Sequence, residues 1–281
     1  MTVARAGKIS LVSRWERLES RPTAAGRLLR FVLPVTITVV FLIVWELGCR
    51  LSGIKEFLLP APSAIAEATV ENWQLIVAAI GRTLGATIVA FVASAVVGNV
   101  LAIVLATSRV LERSTYGFIV LVQTIPMVAI APFIIIWFGP TFTSVVVVAT
   151  LSAFFPILAN SLQGLRSADR GLRELFVLYE ASKLDTLLRL RLPAALPQIM
   201  TGLRLGGVLA VIGVISGEFI TGTGSLNPGI GFLILRSGVR LETALLFAAG
   251  LASALLGIAF NAAIKALSAR LLRSWHVSEM A

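Results

Sequence analysis

One cysteine and one histidine occur in the 281 residues. Cys49 lies inside an apolar run and His276 sits near the C-terminal end. An intrachain disulfide, a Cys/His zinc cluster and a Cys/His catalytic pair are therefore excluded, and no metal site is expected. The chain also lacks any Gly-x-x-x-x-Gly-Lys-Ser/Thr sequence: Gly7-Lys8 is followed by Ile9 and has no preceding glycine. It cannot cradle a nucleotide phosphate in the P-loop manner. Charged residues are scarce, at 14%, against 57% hydrophobic residues. Short segments of alternating polarity, the mark of a membrane β-barrel, are missing as well.

What is present is a series of long apolar runs. Several exceed the roughly 20 residues needed to cross a bilayer core of ~30 Å. The expected class is an all-α polytopic membrane protein with six transmembrane helices, over 31–51, 83–106, 116–138, 143–165, 202–221 and 243–267. The 1–30 segment reads as a basic N-terminal arm. It has no short apolar core closed by a cleavage site, so the first helix is expected to remain as an anchor. Residues 31–267 form the membrane domain and 268–281 a tail.

The net charge of +10 follows from topology. Basic residues crowd the arm, the 107–114 turn, the 166–204 segment and the tail. Only five of the 24, Arg50, Lys55, Arg82, Arg236 and Arg240, fall on the other side. With an even number of spans the positive-inside rule puts both termini in the cytoplasm. Nucleic acid is not needed to explain the charge. The 52–82 segment is then external. Leu59-Pro-Ala-Pro-Ser63 predicts a turn with Ser63 as N-cap, followed by an amphipathic helix over about 63–80 on the membrane surface. The Gly-rich 222–242 segment is expected to turn sharply, with Phe232–Leu235 dipping back toward the bilayer.

Small residues four apart predict close helix packing: Gly98 with Ser94 and Ala102 in the second span, and Gly202, Gly206, Gly213 and Gly217 in the fifth. Pro126, Pro132 and Pro156 predict kinks. Buried polar residues are candidates for a pathway or gate: Gln123, Thr124 and Pro126 in the third span, Asn160 in the fourth, Glu218 in the fifth. Glu46 and Asn99 are further intramembrane polar residues. An intramembrane carboxylate such as Glu218 faces the bundle interior, either in a pathway or in a structural pair.

The cytoplasmic segment over about 166–200 is the polar exception. The fourth span is expected to run on into a helix through Arg170 and Leu178. Ser182 with Asp185 resembles a capping box and predicts a second short helix. Leu184, Leu187, Leu188 and Leu190 would form its buried face, Lys183, Arg189 and Arg191 its charged one, and Pro193 and Pro197 its end. The physics leaves two readings open: a connector resting on headgroups, or an elbow on which a partner docks.

The stretch from Glu174 to Pro193 resembles the signature loop of bacterial ABC importer permeases, the inner-membrane components of binding-protein-dependent transport. That loop reads Glu-Ala-Ala, then Gly after three residues, then Ile-x-Leu-Pro after nine more. Glu174 holds the Glu position, Leu175 and Phe176 replace the alanines, Glu180 replaces the Gly, and Leu190, Leu192 and Pro193 close the motif. The continuation to Arg204, Leu59–Ser63, Phe155–Asn160 and Gly229-Ile-Gly231 are also similar to the family, over roughly residues 55–265. The likeness is greatest to permeases for nitrate, sulfonates and taurine and for pyrimidine vitamin precursors. The resemblance implies the type I ABC importer transmembrane fold in a bacterial inner membrane, with no enzymatic activity or cofactor of its own. It implies four partners: a cytosolic ATPase that holds the ATP and Mg, an external solute-binding protein, a second copy of the chain and the lipid bilayer. It implies that Glu174, Glu180, Ala181, Ser182, Lys183, Leu184, Asp185, Leu190 and Pro193 couple to the ATPase. If the family Gly is left-handed, Glu180 is strained by on the order of 1 kcal/mol; otherwise it is a contact for the ATPase. The alternative is a stand-alone channel or ion-coupled carrier, but the internal repeat usual in coupled carriers is not evident.

Overall fold

The computed structural model describes residues 24–222 and 228–272. Most of the expected N-terminal arm and C-terminal tail lies outside these residues. The chain divides into two units at Ala64/Ile65.

The first unit contains α1, Ala24–Leu51. Its apolar side chains, from Val32 to Leu51, face outward along most of the helix, as a helix solvated by lipid requires. Glu46 is held by local partners. Its carboxylate takes the Nε–H of Arg50 at 2.5 Å, the Ser63 N–H at 3.0 Å and the Ser63 hydroxyl at 2.8 Å. α2 (Pro62–Glu71) begins two residues earlier than the Ser63 cap implied. Proline takes the position where no N–H is needed, and Glu46 supplies the acceptor for the next orphan donor. α2 also stops at Glu71 rather than near 80, and Trp73 opens the following helix.

The second unit is a helical bundle. It comprises α3 (Trp73–Thr107), α4 (Arg109–Thr124), α5 (Met127–Phe138), α6 (Phe142–Arg166), α7 (Arg170–Leu178), α8 (Lys183–Thr186), α9 (Leu192–Thr221), α10 (Ile230–Val239) and α11 (Thr243–Leu272). Its centre is α6, held between α9 and α3. Near-absent side chains make the approach possible. A Cβ on Gly98 would stand 3.0 Å from Ile157 Cγ2. On Gly202 it would stand 2.9 Å from Asn160 Cβ, on Gly206 2.6 Å from Ile157 Cδ1, and on Gly213 2.7 Å from Ala149 Cα. On Gly217 it would reach Val145 Cα at 3.2 Å. Dispersion and interhelical hydrogen bonds replace the hydrophobic drive that lipid cannot supply. Ser161 Oγ donates to Asn99 Oδ1 at 2.8 Å, and Ser94 Oγ lies 2.9 Å from the Thr150 carbonyl, both joining α3 to α6.

Five of the described helices are long and apolar enough to cross a membrane: Val32–Leu51, Trp73–Thr107, Phe142–Arg166, Lys183–Thr221 and Thr243–Arg270. The six-span expectation needs correction at its third member. Residues 116–138 do not form one helix but break at Ile125-Pro126, leaving α4 with 16 residues and α5 with 12. Proline disfavours helical backbone in the residue before it, and Ile125 is extended at ψ 123°. Pro132 and Pro156 stay inside their helices. The stretch expected to dip back from the 222–242 loop is α10, with Ile230, Gly231, Leu233 and Ser237 buried.

Candidate coupling elbow, pathway pocket and carboxylate clamp

The elbow is built from two caps. The fourth span does not run on into this segment as expected: α6 ends at Arg166, and Asp169 Oδ1, accepting the Leu172 N–H at 3.0 Å, caps α7 as a new helix. α7 ends with the Glu180 N–H on the Val177 carbonyl and the Ala181 N–H on the Phe176 carbonyl, both at 3.0 Å. This pair of bonds is a Schellman motif, and it forces Glu180 to φ +52°. Glu180 thus sits in the left-handed region where glycine is the usual occupant. Ser182 Oγ then accepts the Asp185 N–H at 3.0 Å and opens α8. The capping box is altered: Asp185, one methylene shorter than glutamate, takes the Ser182 hydroxyl at 2.5 Å instead of its N–H.

Two expectations fail beyond this cap. Pro193 and Pro197 do not end the helix. α8 runs through a π turn, Leu187–Arg191, directly into α9. The Leu192 N–H reaches back five residues to the Leu187 carbonyl. That widened turn offers room for the Pro193 ring, which would otherwise press on the carbonyl four residues earlier. Nor are the leucines all buried. Leu190 is buried and Leu187 packs on the cluster of Leu105, Leu158, Leu162 and Leu165, but Leu184 and Leu188 are exposed. α7 contributes no buried residue, and Leu178 and Tyr179 are 78% and 76% exposed. Glu174 pairs with Arg170 at 3.0 Å and Asp185 with Arg189 at 3.4 Å; Lys183 is exposed and Ala181 half-buried. At the elbow's base Arg191 donates to the Ala106 carbonyl at 3.0 Å, at the end of α3.

Gln123, Thr124 and Pro126 come together at the break between α4 and α5. They line a pocket of about 420 Å³ with Ser152, Phe155 and Pro156 of α6 and Leu209, Gly213 and Ser216 of α9. No charged side chain lines it among the described residues. Asn160 lies elsewhere and donates to the Pro156 carbonyl of its own helix at 2.8 Å.

Glu218 belongs to a third place. It is 8% exposed, and Arg204, in the middle of α9, donates instead to Ser268 at 3.4 Å. The Thr83 hydroxyl of α3 lies 2.9 Å from both carboxylate oxygens. The Gly231 N–H donates to Oε2 at 2.9 Å, and the Ile230 N–H donates to Thr83 Oγ1 at 2.9 Å. The carboxylate and the hydroxyl together cap the N-terminus of α10, where orphan N–H groups and the helix dipole favour negative charge. Gly229 and Gly231 permit the approach: a Cβ on Gly229 would stand 2.0 Å from Glu218 Oε1, and one on Gly231 2.2 Å from the Ile215 carbonyl. Beside the clamp lies a pocket of about 450 Å³ that includes Arg82 and Phe142. Thr83 carries no sequence signal of its own; the paired glycines 229 and 231 were the available one.

A helical bundle with apolar spans, a projecting polar elbow, a broken helix and a buried carboxylate clamp suits a membrane transport subunit. The family comparison agrees. Residues 98–273 match the binding-protein-dependent transport system inner membrane component, and the chain belongs to that family: it is an ABC importer permease, a multi-pass, non-catalytic inner-membrane subunit. It is 35% identical over 240 residues to the formylaminopyrimidine transport permease protein ThiX of Halalkalibacterium halodurans, covering 85% of this chain and 94% of that one. It is 35% identical over 252 residues to the riboflavin transport system permease protein RibX of Chloroflexus aurantiacus, covering 88% and 90%. The taurine transport system permease protein TauC of Escherichia coli is 27% identical over 255 residues, covering 87% and 90%.

Proposed function

We propose that two copies of this chain line the translocation pathway of an ATP-driven importer, in the type I arrangement. A cytosolic ATPase docks on the elbow at about 166–200, and an external solute-binding protein delivers the substrate. Both termini face the cytoplasm. The observation that carries the reading is the elbow's outward apolar face: Leu175, Val177, Leu178, Tyr179 and Leu184 are exposed on a polar segment that buries little of its own. Such a patch on a cytoplasmic projection is a docking surface in want of a partner. The chain has no P-loop, so the energy must come from that partner.

The substrate we favour is a neutral nitrogen heterocycle of pyrimidine or flavin type. The pocket at the helix break supports it. An apolar lining with Gln123, Thr124, Ser152 and Ser216 as polar handles suits a flat ring with a few hydrogen-bonding groups. A sulfonate or nitrate would call for a cationic side chain, and none lines this pocket among the described residues. The names of two relatives, for formylaminopyrimidine and riboflavin transport, point the same way.

The test is reconstitution of the chain with its ATPase and binding protein in proteoliposomes. ATP-dependent uptake of a labelled aminopyrimidine or flavin, uncompeted by taurine, is the expected result. A Leu178→Glu, Tyr179→Glu double variant is expected to lose the ATPase on co-purification. Uptake by the chain alone, without ATP, would overturn the coupling and favour a stand-alone carrier. ATP-dependent uptake confined to taurine or nitrate would overturn the substrate assignment only.

A further inference from the structure

At the base of the elbow lies a cavity of about 500 Å³ that neither the pathway nor the carboxylate clamp uses. Its walls are the ends of α3 and α6 and four arginines from four elements: Arg113 of α4, Arg166 of α6, Arg173 of α7 and Arg191 of the π turn. Among the described residues no carboxylate lines it.

Arg191 has an evident task, since it donates to the Ala106 carbonyl. Arg173 does not. Its Nε is shut off from solvent and meets no acceptor among the described residues. A guanidinium nitrogen held dry without an acceptor is costly. That cost vanishes if an anion occupies the space. Guanidinium forks match the oxygens of a phosphate group two at a time. Basic pockets between helices on the cytoplasmic side are suited to anionic headgroups.

We infer that this cavity binds a phosphate group, carried by an anionic phospholipid headgroup or by free phosphate, and that the bound group bridges Arg113, Arg166, Arg173 and Arg191. The occupant ties α7, which buries none of its own side chains, to the ends of the bundle helices. The site concerns this chain alone and does not depend on the identity of the transported solute.

The experiment uses the full chain, delipidated in detergent and examined by native mass spectrometry. It is titrated with phosphatidylglycerol in one arm and inorganic phosphate in the other. The Arg113→Gln, Arg173→Gln double variant is expected to bind the occupant about tenfold more weakly, because two bidentate contacts are gone. Arg170→Gln, exposed on the same helix and paired with Glu174, is expected to bind as the parent does. Phosphatidylglycerol binding that millimolar phosphate leaves intact assigns the site to lipid; phosphate binding lost in the double variant assigns it to the free anion. Equal binding of both probes by the parent and the double variant overturns the inference, as does no binding of either by the parent. Should the double variant aggregate, Arg173→Lys keeps the charge but not the fork. It is expected to weaken binding severalfold, and unchanged affinity for both probes refutes the bridge.

Discussion

Replacing Gly229 by alanine should damage the protein only because Glu218 is there. The backbone at Gly229 has φ −93° and ψ −165°, open to alanine, so conformational strain contributes nothing. The added methyl would stand 2.0 Å from Glu218 Oε1 and 2.3 Å from Cδ. A withdrawal of roughly 1 Å is needed to reach van der Waals contact. It must lengthen the 2.9 Å bonds that the carboxylate takes from Thr83 and Gly231. Hydrogen bonds to a charged partner are worth about 1.5–3 kcal/mol each, so partial loss of two predicts a cost of about 3 kcal/mol. For a unit of this size that is a fall in Tm of about 6–12 °C. Glu218→Ala leaves a buried N–H and a buried hydroxyl without their acceptor, at about 1–3 kcal/mol each. In that background Gly229→Ala should cost less than about 1 kcal/mol, giving a coupling of about 2 kcal/mol in the double-mutant cycle. Gly231→Ala is the internal control. Its methyl would meet the Ile215 carbonyl at 2.2 Å, a backbone atom that Glu218→Ala does not remove. Its cost should persist in both backgrounds. Thermal unfolding of the detergent-purified chain reads all six forms. Gly229→Ala costing the same with and without Glu218 would refute the clamp.

Glu180→Gly is expected to stabilise the elbow by about 1 kcal/mol, because glycine removes the left-handed penalty at φ +52°. Hydrogen exchange at Glu180 and Ala181 should slow by about fivefold, while weakened ATPase binding in the variant would show that the glutamate is a contact instead. Ser182→Ala removes the cap on the Asp185 N–H and should cost α8 about 1 kcal/mol. Faster exchange is expected over 183–187, with none at α7; unchanged exchange at Asp185 would contradict the cap.

How much of this could be read from the residues alone divides along physical lines. Long apolar runs are legible because the bilayer sets a length, and four of the six expected spans coincide with long helices beyond α1. The third did not, because composition cannot say whether an Ile-Pro step bends a helix or breaks it. The capping signals at Ser182 and the strained position at Glu180 are local and were legible. The passage of the helix through Pro193 was not, since it depends on a π turn that no residue pattern announces. The clamp was half legible. Glu218 stood out as an acid among apolar neighbours, but its partner Thr83 lies 135 residues away, and the other donors are backbone amides with no signature of their own. The arginine cavity was hidden for a further reason: every one of its residues had already been explained as topology.

The π turn at Leu187–Arg191 has a mechanical consequence. It makes the outer half of the elbow and the whole of α9 one uninterrupted rod of 39 residues, Lys183–Thr221, about 58 Å long at 1.5 Å per residue. If a partner moves the elbow as proposed, the displacement reaches Glu218 along one helix rather than by relay through loose joints. The extra residue of the widened turn also sets the rotational phase of everything beyond it. Taking one residue out would swing Gly202, Gly213 and Glu218 by about 100° around the helix axis, off α6 and away from α10. The turn is where the rotational register of α9 against its neighbours is set.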